Sequence, residues 1–195
     1  MDHADVDVRP ATADRWADVA TMLDPKGRGN TCWCLSWRLP PSSDPRNRQE
    51  IMHDLTADDP APGLLAYLDD TVVGWIGLAP KSHSRTLQRS RVLPRGDPES
   101  WPTTWAVMCF LVRVGYRRRG VAQQLLTAAV PYAGQHGATV IEGYPVDSGG
   151  GRVPVSAAFV GTTDLFESAG FRILEPTEST SGRLPRWVAR LDLTA

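Results

Sequence analysis

Glu142 and Tyr144 stand two residues apart in a short apolar run, and in an extended strand that spacing sends both side chains to one face, with Asp147 just past its end. A phenol beside carboxylates can give up one proton while a carboxylate accepts another. The same residues also read as a structural carboxylate paired with an arginine and a core ring whose hydroxyl is satisfied. His83 is a lone imidazole after two strand-like runs, either a base or a satisfied surface residue. Cys32 and Cys34 form a lone Cys-x-Cys, which offers two ligands where zinc takes four, so no metal centre is expected. Cys109 lies in an apolar run and reads as a small hydrophobe rather than an acyl-carrying nucleophile. These three cysteines lack the spacing of a disulfide framework, and reduced thiols are expected.

A second group of residues is Tyr116-Arg117-Arg118-Arg119-Gly120-Val121-Ala122. Before it, residues 105–114 are nearly all apolar and read as a strand covered on both faces. After it, Val121, Leu125, Leu126 and Ala129 recur at helical spacing as far as His136, and Gly137 ends the helix. Residues 139–144 supply another buried strand. Together they make one βαβ unit with a parallel pair, which puts the glycine turn at the carboxyl end of a sheet. Backbone N–H groups at a helix start lack internal partners and sit at the positive end of the dipole, favouring an anion by up to about 2 kcal/mol. Gly120 removes a Cβ from the approach, the arginines add charge and Ala122 is small, so a diphosphate fits. Alone, such a turn would read as arginines decorating an exposed corner; the flanking elements argue otherwise. It has neither the Lys and Ser or Thr of a P-loop nor the glycine pattern of a dinucleotide site.

The elements around this unit follow from pattern. Residues 6–10 alternate and stop at a proline, and Thr12 is positioned to cap a helix carrying Trp16, Val19, Ala20 and Leu23. Residues 24–45 are rich in Gly, Pro, Ser and Asn, and a second helix is expected over 46–57. Residues 63–68 and 71–78 flank Asp69-Asp70 as a hairpin, 80–104 read as irregular, and 146–156 as a Gly-rich insertion. A short helix capped by Thr162 or Thr163, a strand over 172–175 and a last strand over 187–193 complete the chain. With 195 residues, one α/β domain spanning 1–195 is expected. Lys plus Arg is 21 against 22 for Asp plus Glu, a net charge of -1, which lacks the basic excess that nucleic-acid binding needs. The longest apolar run is too short to span a bilayer and the first residues are acidic, so no membrane association and a cytoplasmic location are expected.

The run Arg117-Arg118-Arg119-Gly120-Val121-Ala122 resembles the acetyl-CoA signature of the GNAT acetyltransferases, which is Arg or Gln, two residues, Gly, one residue, then Gly or Ala. The order of elements on either side is similar over essentially the whole chain. The resemblance implies a mixed sheet of about six or seven strands, splayed at the acetyl-CoA site and flanked by helices. It further implies that the backbone of Phe110, Leu111 and Val112 pairs with the pantetheine arm, and that amides from Arg117 through Gln123 cradle the diphosphate. The implied reaction is acetyl transfer to an amine of a small molecule or peptide, with acetyl-CoA as co-substrate. A homodimer is left open.

An alkylamine of ordinary pKa is neutral about once in 2,500 at pH 7, a penalty of roughly 4.6 kcal/mol that a base or a pKa-lowering pocket must offset. Many members of the family place a tyrosine acid four residues before the late Gly-Phe pair; here that residue is Phe166, which cannot donate. The signature strand carries no carboxylate either. Tyr144 as the acid, with Glu142 or Asp147 as the base, is the substitute set, and a CoA-binding sensor without turnover is the alternative. In the family the segment between the first two helices roofs the acceptor pocket, so Trp33, Trp37 and Arg38, joined by His83, are the implied acceptor-binding residues. An indole wall suits a flat acceptor or a cation held at roughly 0.5–2 kcal/mol, though such rings also close cores.

Overall fold

The computed structural model describes residues 6–28, 31–39, 47–151 and 153–193. Seven strands form one sheet: β1 (Asp7–Pro10), β2 (Gly63–Leu68), β3 (Thr71–Pro80), β4 (Thr104–Val112), β5 (Val140–Gly143), β6 (Arg172–Ser181) and β7 (Leu184–Asp192). Their spatial order is β1-β2-β3-β4-β5-β7-β6. β4 and β5 run parallel, and the other neighbouring strands run antiparallel. The mixed, open sheet flanked by helices is the architecture expected from the sequence.

Alternation along the strands sorts the core into two faces. Trp105, Val107 and Ile141 turn toward α4 (Val121–Gln135), where Val121, Leu125, Leu126, Ala129 and Ala133 form the buried stripe. A Cβ on Gly74 would stand 2.7 Å from Val121 Cγ1, so glycine in β3 is what lets the helix lie this close. Leu65, Trp75 and Cys109 face the other way, toward α1 (Trp16–Leu23), α2 (Arg48–Leu55) and the loop 31–39. On that second face Ala106, Tyr144 and Val188 meet Leu87 of the short helix α3 (Arg85–Gln88).

Several expectations are corrected. Thr12 does not cap a helix: Ala13–Arg15 is a 3-10 turn, and the Thr12 hydroxyl donates to Asp14 at 2.5 Å. The strand expected to end at residue 175 runs on to Ser181, because Thr, Glu and Ser on an outer strand exposed on one side look like loop. The Gly-rich insertion ends in a helical turn, α5 (Val155–Ala158), before α6 (Thr163–Ser168), whose cap is Thr162. The expectation of three reduced thiols is also overturned. Cys34 and Cys109 form a disulfide across 75 residues, with Cα atoms 6.9 Å apart, while Cys32 is free and exposed.

Candidate active site

The geometry begins where β4 leaves β5. β5 pairs with β4 only over Thr104 to Val107, while β4 continues to Val112. At this point β4 also slips register against β3, Val107 opposite Leu78 and Cys109 opposite Gly77, so Met108 is an extra residue that bends the strand. β5 itself ends at Gly143, opposite Val107, so β4 runs on past it. Phe110 and the residues after it are thereby left without β5 partners, and Phe110 N–H donates instead to the Phe159 carbonyl at 2.7 Å. The Phe110 ring packs edge-on against Phe166, which is fully buried. Phe166, at the position the resemblance reserves for an acid, is core: a Cβ on Gly143 would collide with its ring.

After β4 the chain turns through Gly115 and Arg118, both with positive φ, into Gly120 at φ 80 and ψ 0. That left-handed glycine is the N-cap of α4, and no side chain caps the helix among the described residues. The amides of Val121, Ala122 and Gln123 therefore open the 15-residue helix at its positive end. Arg117, Arg118 and Arg119 are exposed around it. The Arg117 Nε donates to Val112 O at 3.1 Å, and the Arg119 guanidinium lies 5.5 Å over the half-buried Tyr116 ring. The Gln123 side chain accepts from Ser168 of α6, tying the start of α4 to its neighbour. A site without a capping side chain or an intruding Cβ suits a diphosphate.

On the opposite face Glu142 and Tyr144 come together, as their spacing requires. Tyr144 Oη donates to Glu142 Oε2 at 3.0 Å, and Lys81 Nζ reaches the same oxygen at 2.6 Å. Arg190 contacts the other carboxylate oxygen at 3.4 Å. Only 3% of the Lys81 side chain and 10% of the Glu142 side chain are exposed. Burial, then the charge and hydrogen bond of Glu142, push the Tyr144 phenol well above its ordinary pKa, so it keeps its proton. Arg186 lies between the rings of Trp37 and Tyr144, 5.0 and 5.8 Å away, and donates to Tyr144 O. Burial lowers its pKa to about 10. Asp147 is apart from this cluster: half-buried, it accepts from Gly149 N at 2.8 Å.

The remaining acceptor residues divide. Trp33 is 1% exposed and stacks on Trp16 at 5.6 Å. Arg38 is buried and donates to Pro62 O and Leu78 O, bracing the loop 31–39 against the end of β3. Trp37 is half-buried and its carbonyl accepts from Ser84 and Thr86. His83 is exposed on the segment that Trp37 docks against, and partial burial followed by the charge of Arg38 lowers its pKa. The disulfide fastens this loop to β4, and a Cβ on Gly77 would stand 2.6 Å from Cys34 Sγ.

Lys81 and Arg186 escaped the sequence reading. Lys81 meets its partner 61 residues away from inside a segment without periodicity, and no local signal announces it. Arg186 sits in β7, where alternation alone would have aimed it at one face without naming the rings it joins. Among the described residues no group of three or more His, Cys, Asp or Glu could hold a metal, and no helix is long and apolar enough to cross a membrane.

A strand that outruns its parallel partner leads into a helix start capped by glycine, and the comparisons with known proteins give this frame its class. Residues 30–147 match the Acetyltransferase (GNAT) family, and the chain belongs to that family. Among solved structures it is similar to a GCN5-related N-acetyltransferase from Kribbella flavida, at 20% identity and TM-score 0.57, covering 96% of this chain and 98% of that one. A putative acetyltransferase from Salmonella typhimurium, solved with its cofactor acetyl-CoA, aligns at 16% identity and TM-score 0.57 over 97% and 94% of the two chains. An aminoglycoside acetyltransferase in complex with coenzyme A aligns at 16% and TM-score 0.57 over 96% and 95%. No curated protein matches the sequence.

Proposed function

We propose that the chain transfers the acetyl group of acetyl-CoA to an amine of a small molecule or peptide by direct attack. The observation that carries this reading is Gly120, the left-handed N-cap of α4 with no capping side chain among the described residues, on the turn after the strand that outruns β5. Acetyl-CoA supplies the activated thioester. In this reading the amides of Val121, Ala122 and Gln123 hold the diphosphate, with Arg117, Arg118 and Arg119 adding charge, and the β4 backbone from Phe110 to Val112 aligns the pantetheine arm. The acceptor stands on the face of Trp37, Tyr144 and His83.

Proton movement falls to the polar groups on that face. Tyr144, neutral at working pH, is the proposed acid for the leaving sulfur, exchanging its bond to Glu142 for one to sulfur. Glu142 is charge-paired with Lys81, and protonating it would break a buried pair. Asp147, half-buried and held through one oxygen among the described residues, is therefore the better proposed base. Cytoplasm is the proposed compartment, where acetyl-CoA is met.

One observation favours a second reading, a CoA-binding sensor without turnover: the Phe110 amide is engaged by Phe159, and the Tyr144 phenol is engaged by Glu142. Free-thiol release from acetyl-CoA across an amine panel, paired with calorimetry of acetyl-CoA alone, separates the two. Binding with amine-dependent thiol release supports transfer; binding with no release for any amine leaves the sensor; no binding removes both.

A further inference from the structure

Arg186 is 4% exposed, yet no carboxylate among the described residues stands within ion-pair distance of it. Its Nε–H donates to Tyr144 O at 2.7 Å, and neither Nη group bonds to a described residue. The rings of Trp37 and Tyr144, 5.0 and 5.8 Å from the guanidinium, fix its position but bring no charge to set against it. The carboxylates nearby are already engaged. Lys81 and Arg190 divide the two oxygens of Glu142, Arg190 also holds Asp192, and Asp147 accepts from Gly149 N. The lowered pKa of Arg186 follows from this burial, with no carboxylate to raise it.

A buried charge with no counter-charge is costly, and an anion that reaches it removes the cost. The unspent part of Arg186 is its Nη pair, and that pair is not sealed in. Among the described residues the side-chain nitrogens and oxygens that are both enclosed and unpartnered are Thr31 Oγ1 and four indole nitrogens, and the Nη atoms of Arg186 are not in that group. They therefore touch accessible space beside Trp37 and Tyr144, on the face proposed to receive the acceptor. Two N–H groups on one guanidinium edge match two oxygens of a carboxylate or a phosphate, a fit that neither a cation nor an apolar group can make. Stacked rings and the bond to Tyr144 O hold the fork in place before any ligand arrives, so little ordering is left to oppose binding.

We propose that Arg186 is the specificity residue of the acceptor site, selecting amines that carry a carboxylate or a phosphate by pairing its Nη groups with that anion. The inference rests on the acetyl-transfer reading for the word acceptor, and on the contacts of Arg186 alone for the anion. The test is calorimetry on the full chain, without acetyl-CoA, using glycine, β-alanine and phenylalanine, each beside its own carboxamide, and O-phosphoethanolamine beside ethanolamine. At least one anionic amine is expected to bind tenfold or more tightly than its neutral partner, and the pair that shows the difference tells carboxylate from phosphate. Arg186→Gln, whose amide can still donate to Tyr144 O, is expected to bring that ratio within twofold of unity while the neutral amine keeps its affinity within twofold. Arg186→Lys, which keeps the charge and loses the fork, is expected to lower the ratio at least threefold, and it decides alone if circular dichroism shows Arg186→Gln unfolded. Equal binding in every pair, or none detectable, overturns the proposal, as does a ratio that survives the substitutions or a loss shared equally by both members of a pair, which is what a merely structural arginine would give. So does a tenfold loss of acetyl-CoA affinity in the same variant, which would hand the guanidinium to a coenzyme phosphate. Anion-selective binding without thiol release from acetyl-CoA would sink the transfer reading and leave this one standing; thiol release at equal rates from both members of every pair would do the reverse.

Discussion

Lys81 shows how a single buried cation can organise a site that the sequence read as an unstructured stretch. Its ammonium sits on Glu142 and 5.9 Å from the Tyr144 ring, and the carboxylate in turn accepts from the phenol and orients it. Removing it strands a buried negative charge with only the longer Arg190 contact. Lys81→Met is therefore expected to lower stability by about 3–5 kcal/mol in urea unfolding. Tyr144→Phe separates chemistry from scaffolding, since it deletes one hydroxyl and leaves the ring. A fall in kcat of about 10²-fold with acceptor KM nearly unchanged is expected for a general acid; a rate within about twofold would make the hydroxyl structural.

Among the elements, those that frame the glycine turn were legible because each carries its own local signal. The strand is an unbroken apolar run, the helix repeats at 3.6 residues, and Gly120 and Gly137 mark its ends. Glu142 and Tyr144 shared a face because strand geometry gives them no choice. What was hidden depends on distant residues. The disulfide joins cysteines 75 apart, the Lys81 to Glu142 pair spans 61, and β6 disguised its length because an outer strand needs few apolar residues. Trp33, expected to wall the acceptor pocket, is instead buried and packed on Trp16. The helix head also carries a prediction. Gly120→Glu puts a side chain on a left-handed residue at a cost near 1 kcal/mol and a negative charge where the diphosphate is proposed to rest. Acetyl-CoA binding in calorimetry is expected to disappear while far-ultraviolet circular dichroism is unchanged.

For the molecule as a whole, a ligand that joins β4 to the head of α4 braces two elements that pack through their apolar faces. Acetyl-CoA at a hundred times its Kd is expected to add about 2.7 kcal/mol. That corresponds to a rise in Tm of roughly 5–10 °C for a chain of this length, read by differential scanning calorimetry. Gly120→Glu is expected to show no such rise.

The hydrogen bond from Phe110 to Phe159 has a consequence for how the coenzyme is admitted. The Phe110 N–H is already engaged by the Phe159 carbonyl, so a pantetheine arm that takes this amide competes with the 155–161 segment, and its affinity is expected to be the intrinsic one scaled by how often that segment is displaced. Deuterium uptake reports the exchange of occupants directly. The Phe110 amide is expected to stay slow with or without acetyl-CoA, while amides across 155–161 take up label faster once the coenzyme has displaced them.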